Sequence, residues 1–252
     1  MSLKYRTKGF VFKKEERGES DQTFAVFTKD FGRLELKAKA IRKITSKLRA
    51  DIDIFYFSEI EFIQGKNNKT LTDAVKINKF DEIIKDYEKL KVTNQITYIL
   101  DNFIKGQEKD EATFNLLEEI LNKLSAGEQK GPYGESACGR QIKNYQLAFQ
   151  YFFWNFVSLQ GYHLEVQNCA CCQNKLNPYD VYFSAREGGI ICKNCLAPSA
   201  KQRINSDVVK ALRLILKKDW QTISKLKIEQ HSQKLLEDIL QNAVHTFCPV
   251  HC

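Results

Sequence analysis

Several signatures of catalysis are missing from this chain of 252 residues. It contains no glycine-rich phosphate-binding pattern of the G-x-x-x-x-G-K-[ST] or G-x-G-x-x-G type, and no G-x-S-x-G nucleophile elbow. Only four histidines are present, and none lies near an obvious nucleophile in the sequence. These absences argue against a nucleotide hydrolase or a serine hydrolase. The sequence predicts that the protein is not an enzyme.

Long apolar segments are also missing. The first residues, MSLKYRTKGFVFKK, carry charges throughout and do not read as a signal peptide. The longest uncharged stretch, from Asn144 to Leu164, is interrupted by glutamine, asparagine and serine, which are too polar for a lipid-exposed span. We therefore expect a cytoplasmic protein with no membrane partner. In that compartment clustered cysteines bind metal more often than they form disulfides.

The positive charge is unevenly distributed. The net charge is +8, and residues 1–80 hold 18 Lys+Arg against 11 Asp+Glu, a balance of 18 − 11 = +7. Nearly the whole excess therefore lies in the first third of the chain. Such asymmetry indicates an acidic partner, of which nucleic acid is the commonest, although a solvated lysine-rich surface is the alternative.

Five strand-like segments fill this first third: residues 8–13, 22–29, 33–39, 52–63 and 70–77. They are rich in β-branched and aromatic residues, and no helical pattern separates them. Such an array fits a small closed barrel of the OB type, with a five-stranded SH3-like barrel as the nearest alternative. Six phenylalanines are expected in the barrel core: Phe10, Phe12, Phe24, Phe27, Phe55 and Phe57.

The third segment has two different faces. Leu34, Leu36 and Ala38 point one way, while charged residues alternate with them on the other side. The loop that follows adds further cations. OB barrels bind single strands along such surfaces, with phosphates met by Lys and Arg. The predicted nucleic-acid-binding residues are Arg33, Lys37, Lys39, Arg42, Lys43, Lys47 and Arg49.

Beyond residue 78 the hydrophobic spacing becomes helical. Helices are predicted within 80–90, 96–103, 114–124, 141–160, 206–218 and 231–246, with a loop at 125–136. The fold class is therefore α+β and multi-domain: an N-terminal five-stranded OB-type barrel, then an α-helical domain with an inserted four-cysteine zinc module. The predicted boundaries are 1–79 for the barrel, 80–161 with 201–252 for the helical domain, and 162–200 for the zinc module.

Four of the eight cysteines form two C-x2-C pairs. Cys169 with Cys172 and Cys192 with Cys195 are separated by the 19 residues typical of zinc ribbons. A turn with two residues between cysteines aims both sulfurs at one ion, and two such turns complete a tetrahedral thiolate shell. We expect one structural Zn²⁺ per chain. Cys171 is either spare or a substitute ligand, and the Cys248–Cys252 tail lacks the groups to complete a second site.

Two alternatives remain. One is a zinc-ribbon protein of transcription or translation that binds RNA or DNA. The other is a zinc-dependent nucleobase deaminase, because His163-Leu164-Glu165 followed by Cys192-x-x-Cys195 resembles that pattern. Ile191 stands where deaminases have proline, and the Cys169 and Cys172 thiolates would close the shell and exclude a catalytic water. Structural zinc is the favoured interpretation.

The order of basic barrel, helical region and inserted zinc module resembles the RecO family of bacterial DNA-repair and recombination mediators. The resemblance spans most of the chain, is weak over 80–125, and departs at Gln173, where the family usually has glycine after the second cysteine. It rests on Gly18-Glu19-Ser20-Asp21, Phe27-Thr28, Gly32-Arg33-Leu34, the Lys39–Arg49 loop, Leu71-Thr72-Asp73-Ala74, Tyr182-Phe183-Ser184 and Gly188-Gly189.

The resemblance implies functions that composition does not show. Proteins of this family bind single- and double-stranded DNA, anneal complementary strands and associate with RecR. They also bind the acidic C-terminal tail of the single-stranded-DNA-binding protein (SSB), which helps RecA to displace it. We therefore expect DNA, RecR and SSB as partners, RecA as an indirect one, and association with the bacterial nucleoid. The acidic tail is expected in a basic and apolar groove of the helical domain.

Overall fold

The computed structural model describes residues 3–125, 145–177, 179–196 and 202–247. Its contacts divide the chain into two compact units, residues 1–127 and 128–252. Most of the predicted 125–136 loop, the start of the predicted 141–160 helix, and the Cys248–Cys252 tail lie outside the described residues.

The first unit contains a closed five-stranded barrel, as predicted. Its strands are β1 (Lys4–Arg17), β2 (Asp21–Thr28), β3 (Gly32–Ala38), β4 (Phe57–Gln64) and β5 (Lys69–Asn78). They close in the order β1-β2-β3-β5-β4, with β3 and β5 parallel and the other neighbours antiparallel.

The fourth strand is shorter than the predicted 52–63 segment. Phe55 has a positive φ of 66°, and its N–H donates to the Val11 carbonyl at 2.8 Å. The Tyr56 N–H donates to the Asp53 carbonyl at 3.0 Å, which closes a turn. The aromatic run therefore enters the barrel only at Phe57.

Alternating residues fill the barrel interior. Phe24 and Val26 of β2 meet Leu34 and Leu36 of β3, since successive side chains of a strand point to opposite faces. Two isoleucines from the segment between β3 and β4 close the same core. The fully buried members are Val11, Phe24, Val26, Leu34, Leu36, Ala38, Ile41, Ile52, Ile60, Phe62, Leu71 and Ala74.

The described residues of the first unit also form three α-helices: α1 (Asp81–Ile84), α2 (Tyr87–Phe103) and α3 (Glu111–Ser125). They cover part of the outer surface of the barrel through a second aromatic layer. The ring centroid of Phe114 in α3 lies 6.1 Å from that of Phe27 and 5.9 Å from that of Phe57. Phe10 contacts Phe80 at 6.4 Å between centroids.

This second layer changes the expected role of the barrel phenylalanines. All six are buried, but only Phe24 belongs to the barrel interior. Phe10, Phe27 and Phe57 pack against the helical side instead. A barrel that is apolar on both faces must be covered on its outside, and α1–α3 provide that cover.

The second unit surrounds one apolar helix. It comprises α4 (Tyr145–Leu159), β6 (Val181–Ser184), β7 (Gly189–Cys192), β8 (Gln202–Ile204), α5 (Ser206–Leu216), α6 (Trp220–Ile223) and α7 (Gln230–Phe247). The three strands form a small antiparallel sheet in the order β7-β6-β8.

Buried amides of α4 hold the neighbouring helices. Gln150 Nε2 donates to the Leu236 carbonyl of α7 at 2.8 Å, and Asn155 Nδ2 donates to the Ile215 carbonyl of α5 at 3.1 Å. A buried amide without a partner would be destabilising, so these bonds fix which helices α4 can accept. Within the described part of the chain, no helix combines the length and apolar character that a membrane span needs.

One glycine shows how closely the barrel and its helices approach. Gly32, at the start of β3, has a φ of +58°, and a Cβ there would lie 2.2 Å from the Glu108 carbonyl oxygen. Gly18 has a similar φ of +64°, but a Cβ there would meet nothing within 4 Å. We expect Gly18→Ala to lower the free energy of unfolding by about 1 kcal/mol, the cost of a left-handed alanine.

Gly32→Ala adds a backbone clash to the cost of a left-handed alanine. It should lower the free energy of unfolding by about 3 kcal/mol or more. Urea unfolding followed by circular dichroism measures both variants. Equal losses for the two alanines would contradict the close approach of residues 106–108 to β3.

Candidate metal centre and basic barrel face

The first cysteine pair lies in a tight turn. The Gln173 N–H donates to the Cys169 carbonyl at 2.9 Å, and the Cys169 N–H donates to the Asn174 carbonyl at 2.9 Å. Gln173 has a φ of 61°, in the left-handed region that favours glycine. The position thus has the backbone conformation that glycine adopts most easily, and here a glutamine adopts it.

The second cysteine pair follows the β6–β7 hairpin. Cys192 ends β7, and residues Lys193–Cys195 form a short 3-10 turn. The Ala170 N–H donates to the Ile190 carbonyl at 2.8 Å, which joins the first turn to the edge of this hairpin. The sheet therefore sets the distance between the two pairs.

The structure brings the four predicted sulfurs together. The Sγ atoms of Cys169, Cys172, Cys192 and Cys195 all lie within 4.8 Å of one another, and those of Cys172 and Cys192 are 3.8 Å apart. A tetrahedral site with metal–sulfur bonds of about 2.3 Å has its sulfurs about 3.8 Å apart. The donor set can therefore hold a metal ion in the predicted geometry.

The electrostatics of the cluster favour a cation. Burial opposes ionisation of Cys169, but backbone N–H groups of Cys172, Cys192 and Cys171 donate to its sulfur and lower its pKa to about 6. The Cys192 N–H lies 3.3 Å from that Sγ. The pKa of Cys195 is raised, first by its hydrogen bonds with the Cys172 and Cys192 thiols.

The Cys169 thiolate thus forms readily, whereas the raised pKa of Cys195 keeps the proton on that thiol. Four adjacent thiolates repel one another unless a divalent ion neutralises them. A divalent ion would neutralise the thiolates and hold the two cysteine-containing turns together.

Cys171 does not belong to the cluster. Its Sγ donates to the Glu187 Oε2 at 3.7 Å, and burial and the Glu187 charge raise its pKa. The exposed thiol is therefore the spare cysteine of the first pair.

Glu165 has a structural role in the same module. Its Oε1 accepts the N–H groups of Gln167 at 2.6 Å and Asn168 at 3.0 Å, and these bonds, that of Asn168 first, lower its pKa. A proton-transferring glutamate at a deaminase zinc needs the opposite, a carboxyl that can take up a proton near neutral pH. Together with the four clustered sulfurs, this disfavours the deaminase alternative.

Among the seven predicted nucleic-acid-binding residues, Arg33 has a different environment from the other six. Its Nη1 lies 2.7 Å from the Asp101 Oδ1 and donates to the Asp101 and Ile104 carbonyls at 2.8 and 3.2 Å. Its guanidinium lies 5.4 Å from the centre of the Phe12 ring, and its side chain is only 13 % exposed. Arg33 therefore fastens β3 to the C-terminal end of α2.

The remaining predicted cations are Lys37 on β3 and the basic residues of the segment that follows this strand. We call residues 39–49 the cationic loop; its five basic residues, Lys39, Arg42, Lys43, Lys47 and Arg49, are all exposed. Arg42 Nη1 lies 3.2 Å from the Glu16 Oε2. The other four have no ion pair with any described residue. Lys37, half-buried on β3, has its Nζ 3.9 Å from the Asp21 Oδ2.

The cationic loop is anchored to the barrel. Ile41 is buried in the barrel core and Leu48 packs against it. The Ala40 N–H donates to the Asp21 Oδ1 at 2.8 Å, and the Arg42 N–H donates to the Ser20 carbonyl at 3.1 Å. The Gly18–Asp21 turn between β1 and β2 thereby holds the start of the loop in place.

Comparison with known proteins now bears on both sites. Residues 1–80 match the family model described as Recombination protein O N terminal, and residues 139–246 match the one described as Recombination protein O C terminal. The chain belongs to the RecO family. As a member it is a DNA repair mediator and not a catalytic enzyme.

Curated RecO relatives align over most of this chain. The DNA repair protein RecO of Dehalococcoides mccartyi is 28% identical over 233 residues, which cover 92% of this chain and 86% of the relative. That of Alkaliphilus metalliredigens is 24% identical, covering 95% and 92%. That of Halalkalibacterium halodurans is 21% identical, covering 98% and 91%.

The metal centre predicts a clear stoichiometry for this RecO protein. We expect about one tightly bound metal ion per purified chain, because four sulfurs complete one shell. Cys172→Ser or Cys195→Ser should lower that content well below one, since a hydroxyl is a poor substitute for a thiolate. Elemental analysis by inductively coupled plasma mass spectrometry measures it.

Cys171→Ser is the matched control, because it removes a neighbouring thiol that faces Glu187. It should keep the full metal content. A loss equal to that of Cys172→Ser would mean that Cys171 is a ligand.

Proposed function

We propose that this RecO protein binds single- and double-stranded DNA through the cationic loop, and that its metal is a structural Zn²⁺. The observation that supports this most is the set of four exposed cations without an ion pair among the described residues: Lys39, Lys43, Lys47 and Arg49. Phosphate contacts by such side chains supply sequence-independent affinity. Lys37 and Arg42 extend the same surface, and Arg33 is excluded from it because Asp101 neutralises its charge.

The zinc module is a poor candidate for the DNA surface. Residues 162–200 contain three Lys+Arg and three Asp+Glu, so their side chains balance. Four thiolates around a divalent ion add a net charge of about −2. A module with that charge repels phosphates, and its closed shell leaves no position for a substrate. We therefore propose that the 162–200 module is a scaffold.

Strand annealing follows from charge neutralisation. Cations on one surface reduce the repulsion between two strands while their bases pair, and no covalent chemistry is required. With the partners that the family resemblance implies, RecR and the acidic tail of SSB, the protein would assist RecA on SSB-coated strands at the bacterial nucleoid. A basic and apolar groove of the helical domain, residues 80–161 and 201–252, is the proposed place for the acidic tail.

The salt dependence of binding tests the DNA surface. If the five cations of the loop contact single-stranded phosphates, log K should fall with log salt with a slope near −3.5. Combining Lys43→Ala, Lys47→Ala and Arg49→Ala removes three contacts and should make the slope shallower by about 2. Fluorescence anisotropy with a labelled oligonucleotide at several salt concentrations measures both slopes.

A control with the same change in net charge combines Lys217→Ala, Lys225→Ala and Lys227→Ala, three exposed lysines of the second unit. It should keep a slope close to the original one. A triple loop variant whose slope equals that of the unchanged protein would place DNA elsewhere on the molecule.

Annealing on coated strands tests the mediator function itself. The unchanged protein should speed the pairing of complementary oligonucleotides both when they are bare and when they are coated with SSB, because it neutralises both strands. On bare strands the triple loop variant should lose most of that acceleration, and the second-unit control should keep it. If the unchanged protein accelerated the pairing of neither the bare nor the SSB-coated oligonucleotides, that result would contradict an annealing function.

A further inference from the structure

One apolar side chain at the tip of the cationic loop is almost completely exposed. Ile44 is 93 % exposed, the highest fraction among the large hydrophobic residues of the described part of the chain. It lies between Lys43 and Lys47, which are exposed as well. Lone exposed apolar residues are common on protein surfaces, so exposure alone does not indicate a function.

The backbone around Ile44 is held in a defined conformation. The Lys43 N–H donates to the Ala40 carbonyl at 3.1 Å, and the Ser46 N–H donates to the Lys43 carbonyl at 3.0 Å. Ile41 and Leu48 are packed at the barrel core on either side of the tip. Ile44 is therefore presented outward by two consecutive turns instead of folding back onto the apolar residues beside it.

The charged residues beside Ile44 determine which class of partner can bind over its side chain. Free cations on both sides of the tip attract a polyanion and oppose a basic partner. Nucleic acid brings to such a surface both the phosphates that the cations bind and the bases that offer an apolar face. Isoleucine is one of the residues that insert between base steps in nucleic-acid complexes.

We propose that Ile44 contacts the bases of the bound single strand, packing against or between them while the neighbouring cations hold the phosphates. The contact supplies affinity that does not depend on salt. It also separates adjacent bases and leaves their pairing edges open to a complementary strand. This inference rests on the proposed DNA-binding function of the cationic loop and assigns to one residue the non-ionic part of that function.

Two oligonucleotides of equal length and charge separate base contacts from phosphate contacts: a 20-nucleotide thymidine strand, and a strand whose central residues are abasic. Ile44→Ala should weaken binding to the thymidine strand about 5- to 10-fold at every salt concentration, with an unchanged salt slope, because a buried aliphatic contact is lost. It should leave binding to the abasic strand unchanged.

Lys43→Ala is the ionic contrast, since it should weaken both strands alike and make the slope shallower by about 0.7. Ile84→Ala, which truncates an exposed isoleucine of α1, should change neither strand. Equal binding of the thymidine strand by Ile44→Ala and by the unchanged protein would overturn the inference. Equal weakening on both strands would overturn it too, because the effect would not involve bases.

These outcomes are distinguishable from failure of the proposed function. If the unchanged protein binds neither strand in dilute salt, both proposals fall. If it binds with a steep salt slope and Ile44→Ala behaves like it, the DNA-binding proposal stands and the role of Ile44 is rejected.

Discussion

The barrel of the first unit is apolar on two faces, and the covering of its outer face determines where charge remains available. Phe10, Phe27 and Phe57 bring α1 and α3 onto the outside of the strands. Arg33 and Asp101 close the edge of that contact. Once the helices occupy this surface, the cationic loop that leaves β3 still carries four exposed cations without an ion pair to any described residue. The packing that completes the first unit thus leaves the cationic loop exposed.

The second unit depends on a different constraint, the repulsion among four sulfur atoms. The turn at Cys169 and the end of the β6–β7 hairpin bring the sulfurs to the spacing of a tetrahedral shell. Such proximity is unfavourable for four thiolates and becomes favourable when an ion neutralises them. Glu165 and Cys171 of this module are each held by local hydrogen bonds. These contacts support the proposal that the module is a scaffold.

Sequence reasoning predicted features that local patterns specify. Alternation in β3 predicted the inward side chains of Leu34 and Leu36, and the two C-x2-C pairs predicted the four sulfurs that cluster in the structure, because both depend on spacing within a few residues. The same reasoning failed where the partner is distant in the chain. Nothing near Arg33 in the sequence indicates its ion pair with Asp101, which is 68 residues away.

The aromatic residues show a second limit. A phenylalanine is equally hydrophobic whether it faces the barrel interior or the outer surface of the barrel. Hydrophobicity alone therefore could not assign Phe27 to the outer layer. The turn at Phe55 was missed for a related reason, because the run Ile54–Phe57 has the composition of a strand while Phe55 adopts a positive φ. Tertiary packing decided both cases.

The central claim is that the cationic loop, and not the metal module, contacts nucleic acid. Photo-crosslinking to a single strand containing 5-bromodeoxyuridine, followed by mass spectrometry of the adducts, tests it most directly. The account predicts that the adducts map to peptides containing residues 39–49. Adducts confined to residues 162–196 would contradict it.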